Sequence, residues 1–164
     1  MDRWAPHVTV ACVIEKDGKY LMVEERDKFS GELVFNQPAG HLERGETLQQ
    51  AAVRETLEET AWNIHAESVV GVYLWQNPAN GRSFLRITFA GRCVAHEPWR
   101  GLDEGICSAL WMSRDEIVRQ ASHLRSPMVL RCLDDYLRGQ RYPLEMLRYI
   151  DSPEHARLAQ MTAV

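Results

Sequence analysis

GHLERGETLQQAAVRETLEE, residues 40–59, is the stretch of this chain that says most about its fold and chemistry. Glu55, Glu58 and Glu59 stand at positions i, i+3 and i+4, so a helix would place all three on one face, within about 6 Å of each other. At an effective dielectric near 20, each like-charged pair then costs roughly 3 kcal/mol, and the three pairs cost about 8 kcal/mol. Arg54 alone cannot offset that repulsion. The spacing therefore predicts that this face holds a multivalent cation.

The helix that carries these carboxylates is predicted at residues 47–60. Thr47, followed three residues later by Gln50, has the form of a capping box, which satisfies free backbone N–H groups at a helix start. Ala51 and Ala52 continue along the face that ends in the carboxylates. We therefore expect one end of this helix to dock on the core and the other end to present charge at its edge.

The remaining elements follow from hydrophobic periodicity and from turn residues. Strands are predicted where β-branched and aromatic residues cluster between turns, and Asp17-Gly18 is a strong two-residue hairpin signal. A helix is expected from Ser113 to about residue 121, and another begins at Ser126-Pro127, with Ser126 as its cap, and ends near residue 138. The predicted strands are residues 7–14, 19–24, 33–37, 69–76, 83–95 and 109–112. The order β-β-β-α-β-β-β-α-α indicates an α/β fold with a mixed sheet and helices on both faces.

Composition narrows the class of protein. The chain has 164 residues, of which 45% are hydrophobic and 26% charged, and this balance predicts one globular domain over residues 1–164. The net charge of −4 and the lack of basic runs argue against a nucleic-acid partner. We find neither a signal-peptide core nor an apolar run long enough for a bilayer, so we expect a cytoplasmic location with no membrane contact. The four cysteines lack C-x-x-C spacing, which favours free thiols over a zinc site or disulfides.

The spacing of the fixed residues in the opening stretch resembles the Nudix box, which has the form G-x5-E-x7-R-E-U-x-E-E-x-G-U with U aliphatic or bulky. Further motifs resemble a bacterial group of Nudix phosphatases over residues 6–146, which leaves residues 147–164 as a C-terminal tail. Two positions depart from the box: Thr56 replaces an aliphatic residue, and Ala61 replaces the glycine that takes a left-handed conformation. Keeping that conformation with alanine costs about 1 kcal/mol. The further motifs are PHVTVAC (6–12), NQPAGHLE (36–43), LRSP (124–127) and GQRYPLEM (139–146).

The resemblance implies an α/β/α sandwich and an Mg²⁺-dependent hydrolase of pyrophosphate bonds, with Mn²⁺ as a possible substitute. In that bacterial group the substrates are hydroxymethylpyrimidine pyrophosphate and thiamine pyrophosphate, and less selectively nucleoside di- and triphosphates. The implied metal ligands are the Gly40 carbonyl and the carboxylates of Glu55, Glu58 and Glu59, an oxygen-only set that suits a hard cation. One carboxylate would take the proton of the attacking water. Arg54 is expected to orient these carboxylates or to pair with Glu46.

Other candidates for the site are less specific. Glu104, in the loop before residues 109–112, is chosen as an extra metal ligand or general base, with a solvated loop acid as the alternative. Trp75, Phe84 and Arg86 are candidates for stacking and phosphate contact, although aromatic residues in strands more often belong to the core. Residues of the two last motifs could line the pocket, and for Ser126 a plain helix cap is equally plausible. These are Arg125, Ser126, Arg141 and Tyr142.

Three functions remain open from the sequence. The leading one is the pyrophosphate phosphohydrolase, acting as a monomer on a small molecule. The second is a nucleotide-sanitising enzyme or RNA 5′-pyrophosphohydrolase, since fold and box do not fix the substrate. The third is a catalytically silent Nudix domain that senses a nucleotide, which the complete carboxylate set argues against.

Overall fold

The computed structural model describes residues 3–150, and within them the predicted order of elements is confirmed with one short strand added. The tail predicted over residues 147–164 lies outside the described residues from position 151 onward. Single 3₁₀ turns occupy Ala121–His123 and Leu144–Met146. The strands are β1 His7–Lys16, β2 Lys19–Arg26, β3 Leu33–Asn36, β4 Ala39–His41, β5 Trp62–Gln76, β6 Ser83–His96 and β7 Ile106–Met112, and the helices are α1 Leu48–Thr60, α2 Arg114–Arg119 and α3 Met128–Leu137.

Two strands begin well before their predicted first residues, and one strand was missed. β5 begins at Trp62 rather than Val69, because three shifts in its register with β6 interrupt the alternation on which the prediction rests. β7 begins at Ile106, three residues earlier than predicted. β4 has three residues, too few to show any period.

The seven strands form a mixed sheet that splays into two parts. Its main path is β3-β2-β1-β6-β5, with β4 paired to β1 and β7 paired to β2. β1 runs parallel to β6 and antiparallel to the short β4. It meets β2 only through its last two residues, Glu15 and Lys16, at the Asp17-Gly18 hairpin. Because β1 and β2 diverge beyond that hairpin, an opening remains between the two parts of the sheet.

Both faces of β1 are buried, which makes the fold an α/β/α sandwich. Val10, Cys12 and Ile14 belong to a core that also contains Ala51 and Ala52 of α1. On the opposite face, Val13 of β1 packs into a second core with the apolar residues of α3. Alternate residues of a strand face opposite sides of the sheet, so a strand with helices on both sides is apolar throughout. The predicted fold class is confirmed.

The predicted ends of α1 are confirmed in detail. The Thr47 side chain accepts from the Gln50 amide and the Gln50 side chain accepts from the Thr47 amide, which completes the capping box. Ala61 takes the left-handed conformation, with φ 59°, and its amide donates to the Leu57 carbonyl. The helix therefore ends as the glycine of the box would end it. Thr56 is fully buried, and its hydroxyl donates to the Ala52 carbonyl at 2.8 Å.

The start of α3 differs from the prediction. The helix begins at Met128 with Pro127 at the cap position, and no side chain donates or accepts a capping bond there. The predicted cap, Ser126, is buried, and its hydroxyl has no hydrogen-bond partner among the described residues. The hydroxyl is therefore free for another purpose. None of the helices within residues 3–150 is both long and apolar enough to cross a bilayer.

Candidate active site

Arg54 holds the acidic face of α1 together. Its guanidinium donates to both carboxylate oxygens of Glu46, at 2.9 and 2.7 Å, and to the carbonyl of His41. A third nitrogen bridges Glu55 at 2.9 Å and Glu58 at 3.1 Å. These anions raise the pKa of Arg54, and the Arg54 hydrogen bonds lower the pKa of Glu46. This geometry matches the expected orienting role of Arg54 and its pairing with Glu46, because one planar cation holds three carboxylates in place.

Gly40 lies directly against the Glu55 carboxylate. A Cβ atom built at Gly40 would stand 2.0 Å from Cδ of Glu55, so no other residue fits there without moving that carboxylate. Gly40 belongs to β4 and has no positive φ. Glycine is therefore required here by the close approach of Glu55 and not by a left-handed backbone conformation. The contact brings the backbone of β4 and the Glu55 side chain together, as a shared metal site requires.

Glu59 is the most deeply buried carboxylate of the box. Its side chain accepts from the Ala39 amide at 2.9 Å, and the residue is only 7% exposed. The pKa of Glu59 is raised to about 9, chiefly by burial and also by the nearby charges of Glu25, Glu55 and Asp103, against the lowering effect of the Ala39 bond. Arg54 bonds to Glu55 and Glu58 but not to Glu59. A buried carboxylate without a cationic partner is costly to ionise, and a bound cation would remove that cost.

Glu58 and the loop before β7 sit beside each other. The Glu58 side chain is 36% exposed, whereas its backbone carbonyl accepts from the Asp103 amide at 2.9 Å. This bond docks the loop on the end of α1. Burial is the main cause that raises the pKa of Glu55 and of Glu59, and the charge of Asp103 adds a smaller contribution to both. Glu104, chosen from the sequence, lines a cavity that Glu55 and Glu59 also line.

The donor set fits a hard divalent cation, although it is not a closed cage. Among residues 3–150, no three acidic, histidine or cysteine side chains are grouped tightly enough to enclose an ion. Mg²⁺ does not need such a cage, because it keeps several waters and is usually held by one or two carboxylates together with substrate phosphates. Glu55 and Glu59, with the Gly40 backbone beside them, provide that minimum. Glu58 could join them by leaving Arg54.

These residues form one end of a cavity of about 520 Å³. Gly40, Glu55, Glu59, Asp103 and Glu104 line the acidic end. Side chains from the sheet, from the loops after β2 and β5, and from the start of α3 line the rest. Most of the predicted substrate-binding residues are brought together here, namely Trp75, Phe84, Arg86, Arg125 and Ser126.

A row of aromatic rings crosses three strands at this cavity. Phe84 of β6 stacks on His7 of β1, with centroids 5.4 Å apart, and on Trp75 of β5, with centroids 5.9 Å apart. Two residues further along the strands, Arg86 pairs in register with Thr9. Because successive side chains on one face of a strand are two residues apart, Arg86 and Thr9 stand next to the aromatic row. The arrangement can hold a planar ring beside a cation.

Two predicted substrate residues are not brought to this cavity. Tyr142 pairs its backbone with Val69 and lines a separate groove between β5 and α3. Arg141 packs its guanidinium over the ring of Tyr136, 3.9 Å from its centroid. Both residues follow α3 and neither lines the cavity at the carboxylates, so the expectation that they line the substrate pocket is corrected.

The structure also adds residues that the sequence did not single out. Glu25, Asn36 and Thr9 line the cavity, and Glu25 accepts from the Asn36 side chain. Arg125 bonds to Asp27 at 2.8 Å and lies 3.9 Å from Glu25. No local signal distinguishes these strand and loop residues from ordinary surface ones. Asp103 could have been found, since it precedes the chosen Glu104 directly.

Comparisons with known proteins identify the family of this chain. The NUDIX domain model matches residues 5–132. Phosphatase NudJ of Escherichia coli (strain K12) is 45% identical over 142 residues, which make up 87% of this chain and 90% of that protein. A NUDIX hydrolase from Nitrosomonas europaea has a solved structure that superimposes with a TM-score of 0.87 at 48% identity, covering 90% of this chain and 99% of that one.

A more distant solved structure shows the fold alone. The NUDIX domain of Shewanella oneidensis NrtR, complexed with ADP ribose, superimposes with a TM-score of 0.65 at 15% identity, covering 84% of this chain and 90% of that one. The fold thus recurs where little of the sequence is shared. The family match, the near relatives and the carboxylate site together show that this chain belongs to the Nudix family and is a hydrolase of phosphoanhydride bonds.

Proposed function

We propose that this protein is an Mg²⁺-dependent phosphohydrolase that releases phosphate from hydroxymethylpyrimidine pyrophosphate, thiamine pyrophosphate and nucleoside di- and triphosphates. One observation carries the proposal: the buried carboxylates of Glu55 and Glu59 and the aromatic row with Arg86 line a single cavity. Such a cavity suits a substrate with a phosphate chain at one end and a planar ring at the other. The 45% identity to a phosphatase supports the same reading.

The residues at the acidic end have separate roles in metal binding and in orienting the metal ligands. Glu55 and Glu59 would hold the ion with the Gly40 backbone, and Glu58 would join them on release from Arg54. When bound, a divalent cation polarises a phosphoryl oxygen and lowers the pKa of an attacking water. Arg54 keeps the carboxylates in place through its bonds to Glu46 and Glu55. The buried setting strengthens each of these electrostatic interactions.

The general base is assigned to the loop before β7. Asp103 and Glu104 both line the cavity, and Asp103 is fixed to α1 through the Glu58 carbonyl. Asp103 is the better placed of the two, because the bond from its amide to the Glu58 carbonyl holds it beside the carboxylate end of α1. Asp103→Asn should therefore lower kcat by about a hundredfold or more, the usual contribution of a positioned base, whereas Glu104→Gln should change it less. The opposite order would return the role to Glu104.

The main test is phosphate and pyrophosphate release from a panel of diphosphates and triphosphates with Mg²⁺. Phosphate released from diphosphates is expected, and its loss in Glu58→Gln and Glu59→Gln with the fold intact would assign it to this site. Pyrophosphate released from triphosphates, with diphosphates untouched, would instead favour the sanitising or RNA-directed alternative. A protein that binds but hydrolyses nothing on the panel would favour the sensor.

The cellular setting and assembly are part of the same proposal. All four cysteines are free, as a reducing compartment would keep them, which supports a cytoplasmic location. We further propose that the enzyme works as a monomer on small molecules rather than on nucleic acid. Gel filtration with light scattering tests the first statement, and a dimer mass would contradict it.

A further inference from the structure

An exposed aromatic side chain lies at the cavity, on the loop between β2 and β3. Phe29 is 68% exposed, and it lines the same cavity as the carboxylates and the aromatic row. A single exposed apolar side chain is ordinary on a protein surface. Phe29 differs from such a residue in two ways, because its loop is firmly held and its ring already contacts a cation.

The Asp27 carboxylate holds the loop in shape. One of its oxygens accepts from the amides of Phe29 and Ser30, at 2.8 and 2.7 Å. The other oxygen accepts from the guanidinium of Arg125 at 2.8 Å, which ties the loop to the segment before α3. The Gly31 amide donates to the Asp27 carbonyl at 2.8 Å and closes the turn. The backbone that carries Phe29 is therefore preorganised, so a ligand that stacks on the ring needs to order little of the loop.

The cation on Phe29 is the guanidinium of Arg82, whose Cζ lies 4.8 Å from the ring centroid. Arg82 ends the loop between β5 and β6, and it also lines the cavity. The two hairpins belong to the two diverging parts of the sheet, so this contact links those parts beside the cavity. Within residues 3–150, the Arg82 guanidinium forms no ion pair and no hydrogen bond.

Arg82 is weakly held on Phe29, because a cation–π contact between exposed groups contributes little free energy. A planar cation with a larger ring can therefore take the same face of Phe29 and displace the guanidinium. The cavity suits such a ligand, since acidic side chains outnumber lysines and arginines among the residues that line it. The rings of Trp75 and Phe84 add flat apolar surface in the same cavity.

We propose that Phe29 binds the cationic ring of a substrate, in the place that the Arg82 guanidinium takes in the free protein. This inference rests on the proposed function, since it ranks the substrates of that same site. Among them, thiamine pyrophosphate carries a positively charged thiazolium ring, whereas hydroxymethylpyrimidine and the nucleoside bases are largely neutral at pH 7. Through this contact, Phe29 favours thiamine pyrophosphate over the neutral substrates.

Thiamine and 3-deazathiamine test the proposal without hydrolysis. The two molecules have the same shape, but in the second a carbon atom replaces the positively charged ring nitrogen. Their binding to the full chain in chelated buffer is followed by NMR titration. We expect thiamine to bind about fivefold more tightly, which is the effect of one exposed cation–π contact. Equal affinities, or no binding of either up to millimolar concentration, would overturn the proposal.

Variants identify the side chain responsible. Phe29→Leu should remove the preference for thiamine, whereas Phe29→Tyr, which keeps the ring face, should retain it. Because Phe29 is exposed, both substitutions should leave Tm nearly unchanged. Trp99→Leu is the matched control and should keep the preference, since Trp99 is also an exposed aromatic residue, at 82%, but does not line the cavity. A preference that survives in Phe29→Leu refutes the assignment.

Arg82→Gln tests the exchange between the two cations. Removing the guanidinium frees the ring of Phe29, so thiamine should bind severalfold more tightly, while 3-deazathiamine should change less. Weaker binding of thiamine in this variant would mean that Arg82 supports the ligand instead of competing with it, and would contradict the exchange.

The outcome is separable from that of the proposed function. Thiamine carries no phosphate and needs neither the metal nor the carboxylates, so an inactive protein can still prefer it to 3-deazathiamine. Conversely, a protein that releases phosphate and binds the two molecules equally would leave the hydrolase standing and remove the role of Phe29.

Discussion

Glu59→Gln should stabilise the metal-free protein while abolishing its response to Mg²⁺. Burial raises the pKa of Glu59 from 4.5 to about 9, so the folded state holds a proton at neutral pH that the unfolded chain has released. Between these two values the folded state binds more protons, and the free energy of unfolding therefore falls as pH rises. Glutamine resembles the protonated side chain and keeps an oxygen to accept from the Ala39 amide. The variant avoids the cost of that protonation.

The size of the stability difference follows from how far the working pH lies above the unfolded-state pKa of Glu59. pH 7 lies about 2.5 pH units above the ordinary value of 4.5, and each unit corresponds to roughly 1.4 kcal/mol. The variant should thus be more stable than wild type by about 3 kcal/mol at pH 7 in chelated buffer. For a domain of this size such a change raises Tm by roughly 6 to 12 °C. The difference should shrink toward zero near pH 5 and grow toward pH 9.

Thermal melting of both proteins at several pH values, with EDTA or with Mg²⁺, measures this directly. Wild type should gain stability from Mg²⁺, and more at higher pH, because the ion compensates the Glu59 charge; the variant should gain little. Glu58→Gln is the matched control, since its more exposed side chain leaves metal-free stability nearly unchanged. A Glu59→Gln protein that melts below wild type in EDTA, or that Mg²⁺ stabilises equally, would refute the reasoning.

Three further changes test the rest of the site. Gly40→Ala forces a Cβ into the Glu55 carboxylate and should lower both the stability, by about 1 to 3 kcal/mol, and the affinity for Mg²⁺. Gly101→Ala, which has open space around it, is the control and should change neither quantity. Thermal melting measures the stability, and calorimetric titration measures the affinity. Arg54→Gln leaves three carboxylates without their shared cation, so metal-free stability should fall by about 2 kcal/mol and Mg²⁺ should recover part of it; no recovery would argue against a common site. Arg141→Gln should leave kcat/KM unchanged, since Arg141 lies outside the cavity; a tenfold loss would return it to the substrate site.

The helix and its chemistry were readable from the sequence because their determinants are local. The capping box joins Thr47 to Gln50, three residues later, and the carboxylates are three and four residues apart. The left-handed residue Ala61 bonds back to Leu57, four residues earlier. Hydrophobic alternation likewise placed six of the seven strands. It failed for the start of β5 and for β4, where bulges and a length of three residues leave no period to detect.

The partners of each side chain were decided only by tertiary structure. Spacing predicts that Glu55, Glu58 and Glu59 share a face, but not that Glu59 is buried against the Ala39 amide while Glu58 stays exposed. It cannot show that glycine at position 40 is required by the approach of Glu55.

The same limit explains the substrate end of the cavity. Arg86, Thr9 and Ser126 are far apart in the chain, and the parallel register of β1 and β6 together with the start of α3 brings them to one cavity. The sequence by itself determined a Nudix-type carboxylate helix, because capping and helical periodicity act over a few residues. The depth of each carboxylate and the place of Arg86 in the same cavity depend on which strands meet, and only the folded chain decides that.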